Sequence, residues 1–64
     1  MKLEMSRARR DELVDACGFT DDEIRVLDYK RRGWYNDDIA AEMYCSSRTI
    51  KRRVASIKNK ISSI

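Results

Sequence analysis

Proline and histidine are absent from this 64-residue sequence, and glycine occurs only twice. Proline breaks helices and glycine weakens them, so a chain with almost none of either can be helical along most of its length. No segment alternates apolar and polar residues with a period of two, which is the pattern of a half-buried strand. The sequence therefore predicts an all-α fold.

The scarcity of cysteine and the absence of histidine argue against a metal site. A structural zinc ion needs four Cys or His ligands, and the chain offers only Cys17 and Cys45. One disulfide is conceivable, but small secreted domains usually carry two or more, so we expect two reduced core thiols. We predict neither a metal nor a cofactor.

Long apolar segments are also missing. No run approaches the roughly 18 apolar residues of a membrane-spanning helix, and the N-terminus lacks the apolar block of a secretory signal. We therefore expect a cytoplasmic protein with no membrane partner. A chain of 64 residues has a core too small to enclose an active-site cavity, which favours a binding module over an enzyme. We expect no catalytic residue and no small-molecule substrate.

The charges are distributed unevenly along the chain. Residues 20–45 contain seven acids and four bases, whereas residues 46–64 contain six bases and no acid. A polyanion approaching the molecule would be steered to its C-terminal third.

Four helices are expected, at about residues 3–17, 20–33, 36–44 and 46–60. Gly18 suits the left-handed end of the first helix, and Thr20 with Glu23 forms a capping box at the start of the second. Gly33 closes the second helix, and Ser46 caps the fourth. Trp34, next to Gly33, is expected to pack in the core.

The third and fourth predicted helices are separated only by residues 44–46 and have the form of a helix-turn-helix. The fourth carries one apolar stripe at helical spacing, which consists of Ile50, Val54, Ile57 and Ile61. If this stripe faces the core, the 100° step of a helix places a different set on the far side. That set is Arg48, Lys51, Arg52, Ala55 and Asn59.

This far side has the chemistry that the DNA major groove requires. Long cations reach guanine or phosphate, the small Ala55 can approach a thymine methyl group, and the amide of Asn59 can pair with adenine. A basic helix face is more commonly just a solvated face. The absence of acids after residue 45 argues against that alternative, because surface helices usually mix charge signs.

Residues 19–61, FTDDEIRVLDYKRRGWYNDDIAAEMYCSSRTIKRRVASIKNKI, resemble the LuxR/GerE-type helix-turn-helix domain over about two-thirds of the chain. The matching pattern includes Gly33, the Asn-x-x-Ile-Ala step and the Ser-x-x-Thr-x-Lys segment. The positions that agree with the family are Thr20, Glu23, Val26, Leu27, Gly33, Asn36, Ile39, Ala40, Ser46, Thr49, Lys51, Val54, Ile57 and Lys60. Ile50 and Ile61 replace the usual Val and Leu.

The resemblance implies a small transcriptional regulator that binds double-stranded DNA sequence-specifically through residues 19–64, with residues 1–18 as a helical extension. Residues 46–60 would form the major-groove recognition helix. Family positions imply base contacts by Lys51, Arg52 and Ala55, and DNA-backbone contacts by Thr49 and Arg53. Residue chemistry adds Asn59 as a base contact and Arg48 and Lys58 as backbone contacts.

The sequence departs from the family pattern at the start of the third helix and at both ends of the chain. Tyr35 replaces a small capping residue, so either Asn36 is the cap instead or the helix begins loosely. The family's final, dimerising helix has no counterpart, which leaves a homodimer or a larger assembly open.

The first predicted helix lies outside the family pattern. Ile24, at a normally polar position, is expected to receive Leu13 and Val14, so that the added helix replaces lost core. A self-association surface is the alternative.

Other functions are compatible with the same residues. A helix-turn-helix can serve as a protein-interaction module that binds polymerase, a sigma factor or another regulator through the acidic second and third helices. Region 4 of sigma factors and the DNA-binding domains of small phage terminase subunits share this arrangement, so DNA recognition in a phage packaging complex is also possible. An interaction module should fail on changes to exposed acids such as Asp37, and a DNA binder on changes to Lys51 and Arg52.

Overall fold

The computed structural model describes residues 5–63, and within this range the protein has four α-helices and no β-strand. The helices are α1 (Arg7–Cys17), α2 (Asp21–Arg31), α3 (Asn36–Glu42) and α4 (Ser47–Ser62). The predicted all-α, four-helix fold is confirmed.

Leu3, the expected start of the first helix, lies outside the described residues. α1 begins at Arg7 because the Ser6 hydroxyl accepts the Arg9 N–H at 3.2 Å and caps it.

The core lies where α2 and α3 pack against α4. Its buried members are Val26, Leu27, Ile39, Ala40, Ile50, Val54 and Ile57. The apolar stripe of α4 therefore faces inward as predicted, with Ile61 half-buried at its end. Trp34 also packs against the core as expected, and its ring stacks on Tyr29 with a centroid separation of 4.4 Å.

The start of α3 resolves the question raised by Tyr35. Tyr35, and not Asn36, is the N-cap residue, and its side chain makes no capping hydrogen bond. Its backbone N–H instead donates to the Asp38 carboxylate at 3.3 Å. The alternative in which Asn36 caps this helix is therefore wrong, because Asn36 is already the first helical residue.

The end of α3 also differs from the expectation. The helix stops at Glu42, not at Tyr44, because Tyr44 takes a left-handed backbone conformation with φ of 54°. Residues 43–46 then connect α3 to α4, one residue more than the predicted gap. Gly18 has the predicted left-handed conformation at the end of α1, and Gly33, which was predicted to close α2, is left-handed as well.

The added helix α1 packs on α4 and is tied to α2 by an ion pair. Leu13 is buried, and Val14 is half-buried against the core. Arg10 donates from Nε and Nη2 to the two carboxylate oxygens of Asp28, at 2.8 and 2.9 Å. Ile24 is half-buried, and its contact with Leu13 and Val14 stays a prediction.

We expect the Arg10–Asp28 pair to hold α1 on the rest of the domain. A double-mutant cycle with Arg10→Ala and Asp28→Ala should give a coupling of about 1 kcal/mol, because the pair is two-pronged and partly shielded from water. The measurement is urea unfolding followed by circular dichroism.

The matched control is the Arg9–Glu12 pair, whose side chains are 54% and 70% exposed. The same cycle there should give about 0.3 kcal/mol, as is usual for an exposed pair three residues apart on one helix. Equal couplings at the two sites would show that Arg10–Asp28 does not anchor α1.

Candidate nucleic-acid interface

The candidate interface is the outward side of α4. Ser46 caps this helix as predicted: its hydroxyl accepts the Thr49 N–H at 3.2 Å and lies 3.1 Å from the Thr49 hydroxyl. α4 then continues to Ser62, two residues beyond the predicted end. The first turn contains no acid, so the cations of the helix begin directly at its N-terminal end.

The structure places all four predicted base-contacting residues on the exposed side of α4. These residues are Lys51, Arg52, Ala55 and Asn59. With Arg48, which is also exposed, they span an arc of about 100° opposite the buried stripe. Because no acid lies in α4, this arc is uniformly basic or neutral.

The residues predicted to contact the DNA backbone differ in their exposure. Arg48 and Arg53 are exposed, whereas Thr49 and Lys58 are half-buried. Arg53 and Lys58 lie on opposite flanks of the helix, between the buried stripe and the exposed arc. Arg53 approaches α2, where its Nη2 lies 3.9 Å from the Asp22 carboxylate. Both side chains are largely exposed, so this ion pair is weak and Arg53 can exchange partners.

A buried carboxylate holds α4 from the α2 side, and the sequence did not predict this contact. Glu23 is only 2% exposed and forms the predicted capping box with Thr20, through bonds of 3.0 and 3.2 Å. The same carboxylate accepts hydrogen bonds from the Ser56 hydroxyl at 2.7 Å and from Lys60 Nζ at 2.6 Å. Lys60 Nζ also lies 5.9 Å from the centre of the Phe19 ring.

The environment of Glu23 changes its acidity. Burial alone would raise the pKa of the carboxyl, but hydrogen bonds from Lys60, the Thr20 N–H and Ser56 outweigh burial and lower the pKa to about 2. Glu23 is therefore ionised at neutral pH. Ser56 and Lys60 are four residues apart and share a helix face, yet nothing local in the sequence pairs them with a residue on α2.

Other kinds of site find little support in the described part of the chain. Residues 5–63 contain no group of three His, Cys, Asp or Glu side chains placed to hold a metal ion. None of the helices described is long and apolar enough to cross a membrane. Cys17 and Cys45 are free thiols, and both are half-buried where we expected core residues.

The Glu23 contacts predict a specific pH dependence. The folded-state pKa is depressed below the ordinary value of 4.5, so the stabilisation is present above about pH 4.5 and is lost as the pH falls towards 2. Glu23→Gln should lower the free energy of unfolding at pH 7 by roughly 2–3 kcal/mol and flatten its decline between pH 4.5 and 2.

The measurement is urea unfolding at several pH values, with Glu42→Gln as the control at an exposed carboxylate. That variant should keep both the stability and the pH profile of the wild type. Parallel wild-type and Glu23→Gln profiles from pH 4.5 to 2 would contradict the assignment.

Comparison with known proteins gives one match. The sequence model described as "Bacterial regulatory proteins, luxR family" (GerE) matches residues 18–63, a range that begins just after α1 and includes the whole of α2, α3 and α4. No curated protein and no solved structure matches the chain. Since the match spans well over half of the 64 residues, this helix-turn-helix chain belongs to the LuxR family of bacterial regulatory proteins, which are DNA-binding transcription regulators.

Proposed function

We propose that this protein binds double-stranded DNA sequence-specifically by inserting α4 into the major groove, as a small transcriptional regulator. The observation that carries the proposal is the exposed arc of α4, which presents cations and small polar groups and contains no acid. An α-helix fits the major groove, and each base pair displays a distinct pattern of donors and acceptors there. A regulator of this kind acts where the chromosome lies, so we place it in the cytoplasm.

The arc and the flanks of α4 have different proposed roles. Lys51, Arg52, Ala55 and Asn59 lie on the arc and would meet base edges. Arg53 and Lys58 lie on opposite flanks, which suits the two phosphate strands that border a groove. Arg48 and Thr49, in the first turn, would contact phosphate at the end of the helix that enters first.

A single copy of this domain has a small interface. One module of this size buries about 600–1,000 Å² of protein surface on DNA, which gives modest affinity. We therefore propose that tight, selective binding uses two copies, as a homodimer or in a larger assembly. Two half-sites about one helical turn of DNA apart would match such a pair.

Charge reversal on the arc tests DNA binding. Wild-type protein should bind a labelled random-sequence duplex in fluorescence anisotropy, with an affinity that falls steeply as salt rises and a slope that implies about four to six phosphate contacts. The Lys51→Glu/Arg52→Glu variant should show no saturable binding at about 50 mM salt, because it replaces attraction with repulsion at the groove.

The matched control is Arg25→Glu/Arg32→Glu, which changes the net charge of the protein by the same amount as Lys51→Glu/Arg52→Glu. Both arginines are exposed. Arg25 lies in α2 and Arg32 is its C-cap residue, and both are on the side opposite the buried residues of α2, so they point away from α4. This control should retain most of the wild-type affinity at physiological salt. Equal losses in the two variants would mean that net charge, and not the α4 arc, causes binding. A wild type that does not bind would refute the proposed function.

A second candidate function is protein binding, and one groove favours it. The groove lies between the α2–α3 connection and α3 and is lined by Gly33, Trp34, Tyr35, Asp38, Ala41 and Glu42. Residues 33–47 contain three acids and no base. Aromatic rings next to carboxylates suit arginine or lysine side chains, so the occupant would be a basic segment of a partner such as polymerase or another regulator.

The only tryptophan of the chain, Trp34, lies in this groove and can report its occupation. If the groove binds basic segments, a hexa-arginine peptide should change Trp34 fluorescence saturably, and Glu42→Gln should weaken the effect severalfold. A hexa-glutamate peptide serves as the control. No saturable change with hexa-arginine would exclude this function.

A further inference from the structure

Tyr44 occupies a backbone position that glycine normally takes. α2 ends in a turn in which the Trp34 N–H donates to the Tyr29 carbonyl at 3.1 Å and the Gly33 N–H to the Lys30 carbonyl at 3.0 Å. These two bonds define a Schellman motif, whose left-handed residue is usually glycine. Gly33 fills that position in α2 with φ of 87°.

α3 ends in the same motif with a tyrosine in place of glycine. The Cys45 N–H donates to the Ala40 carbonyl at 3.0 Å, and the Tyr44 N–H to the Ala41 carbonyl at 3.4 Å. A residue with a Cβ is strained in the left-handed conformation, and glycine is not. The chain thus uses the unstrained residue at one of two matching turns and the strained one at the other.

The Tyr44 side chain makes no contact in the described part of the fold that offsets this strain. Tyr44 is 97% exposed, whereas its neighbours Met43 and Cys45 are half-buried against the core. No hydrogen bond among residues 5–63 uses the Tyr44 hydroxyl. The side chain therefore contributes little to stability, and its exposed hydroxyl is available to a molecule outside the domain.

The position of Tyr44 indicates which molecule this is. Tyr44 lies two residues before Ser46, the cap of α4, and so at the same end of α4 as the exposed Arg48. Tyrosine hydroxyls are regular donors to DNA phosphates. We propose that the Tyr44 hydroxyl donates a hydrogen bond to a DNA phosphate beside the end of α4 that enters the major groove. This inference rests on the proposed DNA binding.

Two variants separate the binding role from a structural one. Tyr44→Gly removes the ring and relieves the backbone strain, so its Tm should rise by a few degrees while its affinity for a random-sequence duplex falls about three- to tenfold. Tyr44→Phe should keep the wild-type Tm and lose affinity to a similar extent. Neither should change the salt slope, because a neutral hydroxyl displaces no counterion.

The control is Tyr35→Phe, which makes the same change at the other highly exposed tyrosine and should leave DNA affinity unchanged.

Wild-type affinity in Tyr44→Gly would overturn the inference while the proposed function stands. Wild-type affinity in Tyr44→Phe alone would also overturn it, because the ring and not the hydroxyl would then make the contact. Altered hexa-arginine binding with unchanged DNA affinity would assign Tyr44 to a protein partner. A wild type without DNA binding would refute both proposals.

Discussion

The orientation of α4 depends on the buried carboxylate of Glu23. The side chain closes the first turn of α2 through Thr20 and at the same time accepts hydrogen bonds from Ser56 and Lys60 of α4. Ionic groups are costly to bury unless each is paired, so removing one partner would leave an uncompensated charge in the interior. The apolar stripe of α4 faces inward, and these polar contacts fix its rotation about the helix axis. The opposite side of α4, which is the basic arc, therefore faces outward.

The distribution of charge follows from this orientation. Acids gather in α2 and α3, and the bases of residues 46–64 have no acid beside them in the sequence. The two sets meet at Glu23 and Lys60, where one base of α4 is neutralised on the inward side, and at Asp22 and Arg53. The second pair is long and largely exposed, so it does not neutralise the outward side of α4. The molecule thus has one strongly basic side, which orients it as it approaches a polyanion. α1 leaves this asymmetry intact because, among residues 5–63, none of its acids forms an ion pair with a base of α4.

The left-handed residues that follow the first three helices differ in backbone strain. α1 and α2 end at Gly18 and Gly33, which adopt left-handed backbone conformations without strain. After α3 ends at Glu42, Tyr44 takes a similar conformation at a cost in backbone energy. Strained residues persist where the surrounding structure determines them, and here the two hydrogen bonds of the turn and the half-buried Met43 and Cys45 do so. The result is an aromatic side chain held in water next to the start of α4.

The sequence by itself determined the features that depend on near neighbours. The helix caps at Thr20 and Ser46, the inward stripe of α4 and the basic outward arc follow from residues within a few positions of each other, and all agree with the structure. The early end of α3 and the Tyr35 cap were not predicted, although their hydrogen bonds are local. The approach of Arg53 to Asp22 was not predictable, because it depends on how α2 and α4 pack. The same holds for Glu23, whose partners Ser56 and Lys60 lie more than thirty residues away. Short segments of sequence determine local hydrogen bonds and helical periodicity. A buried ion pair between distant residues forms only when tertiary folding brings their side chains together.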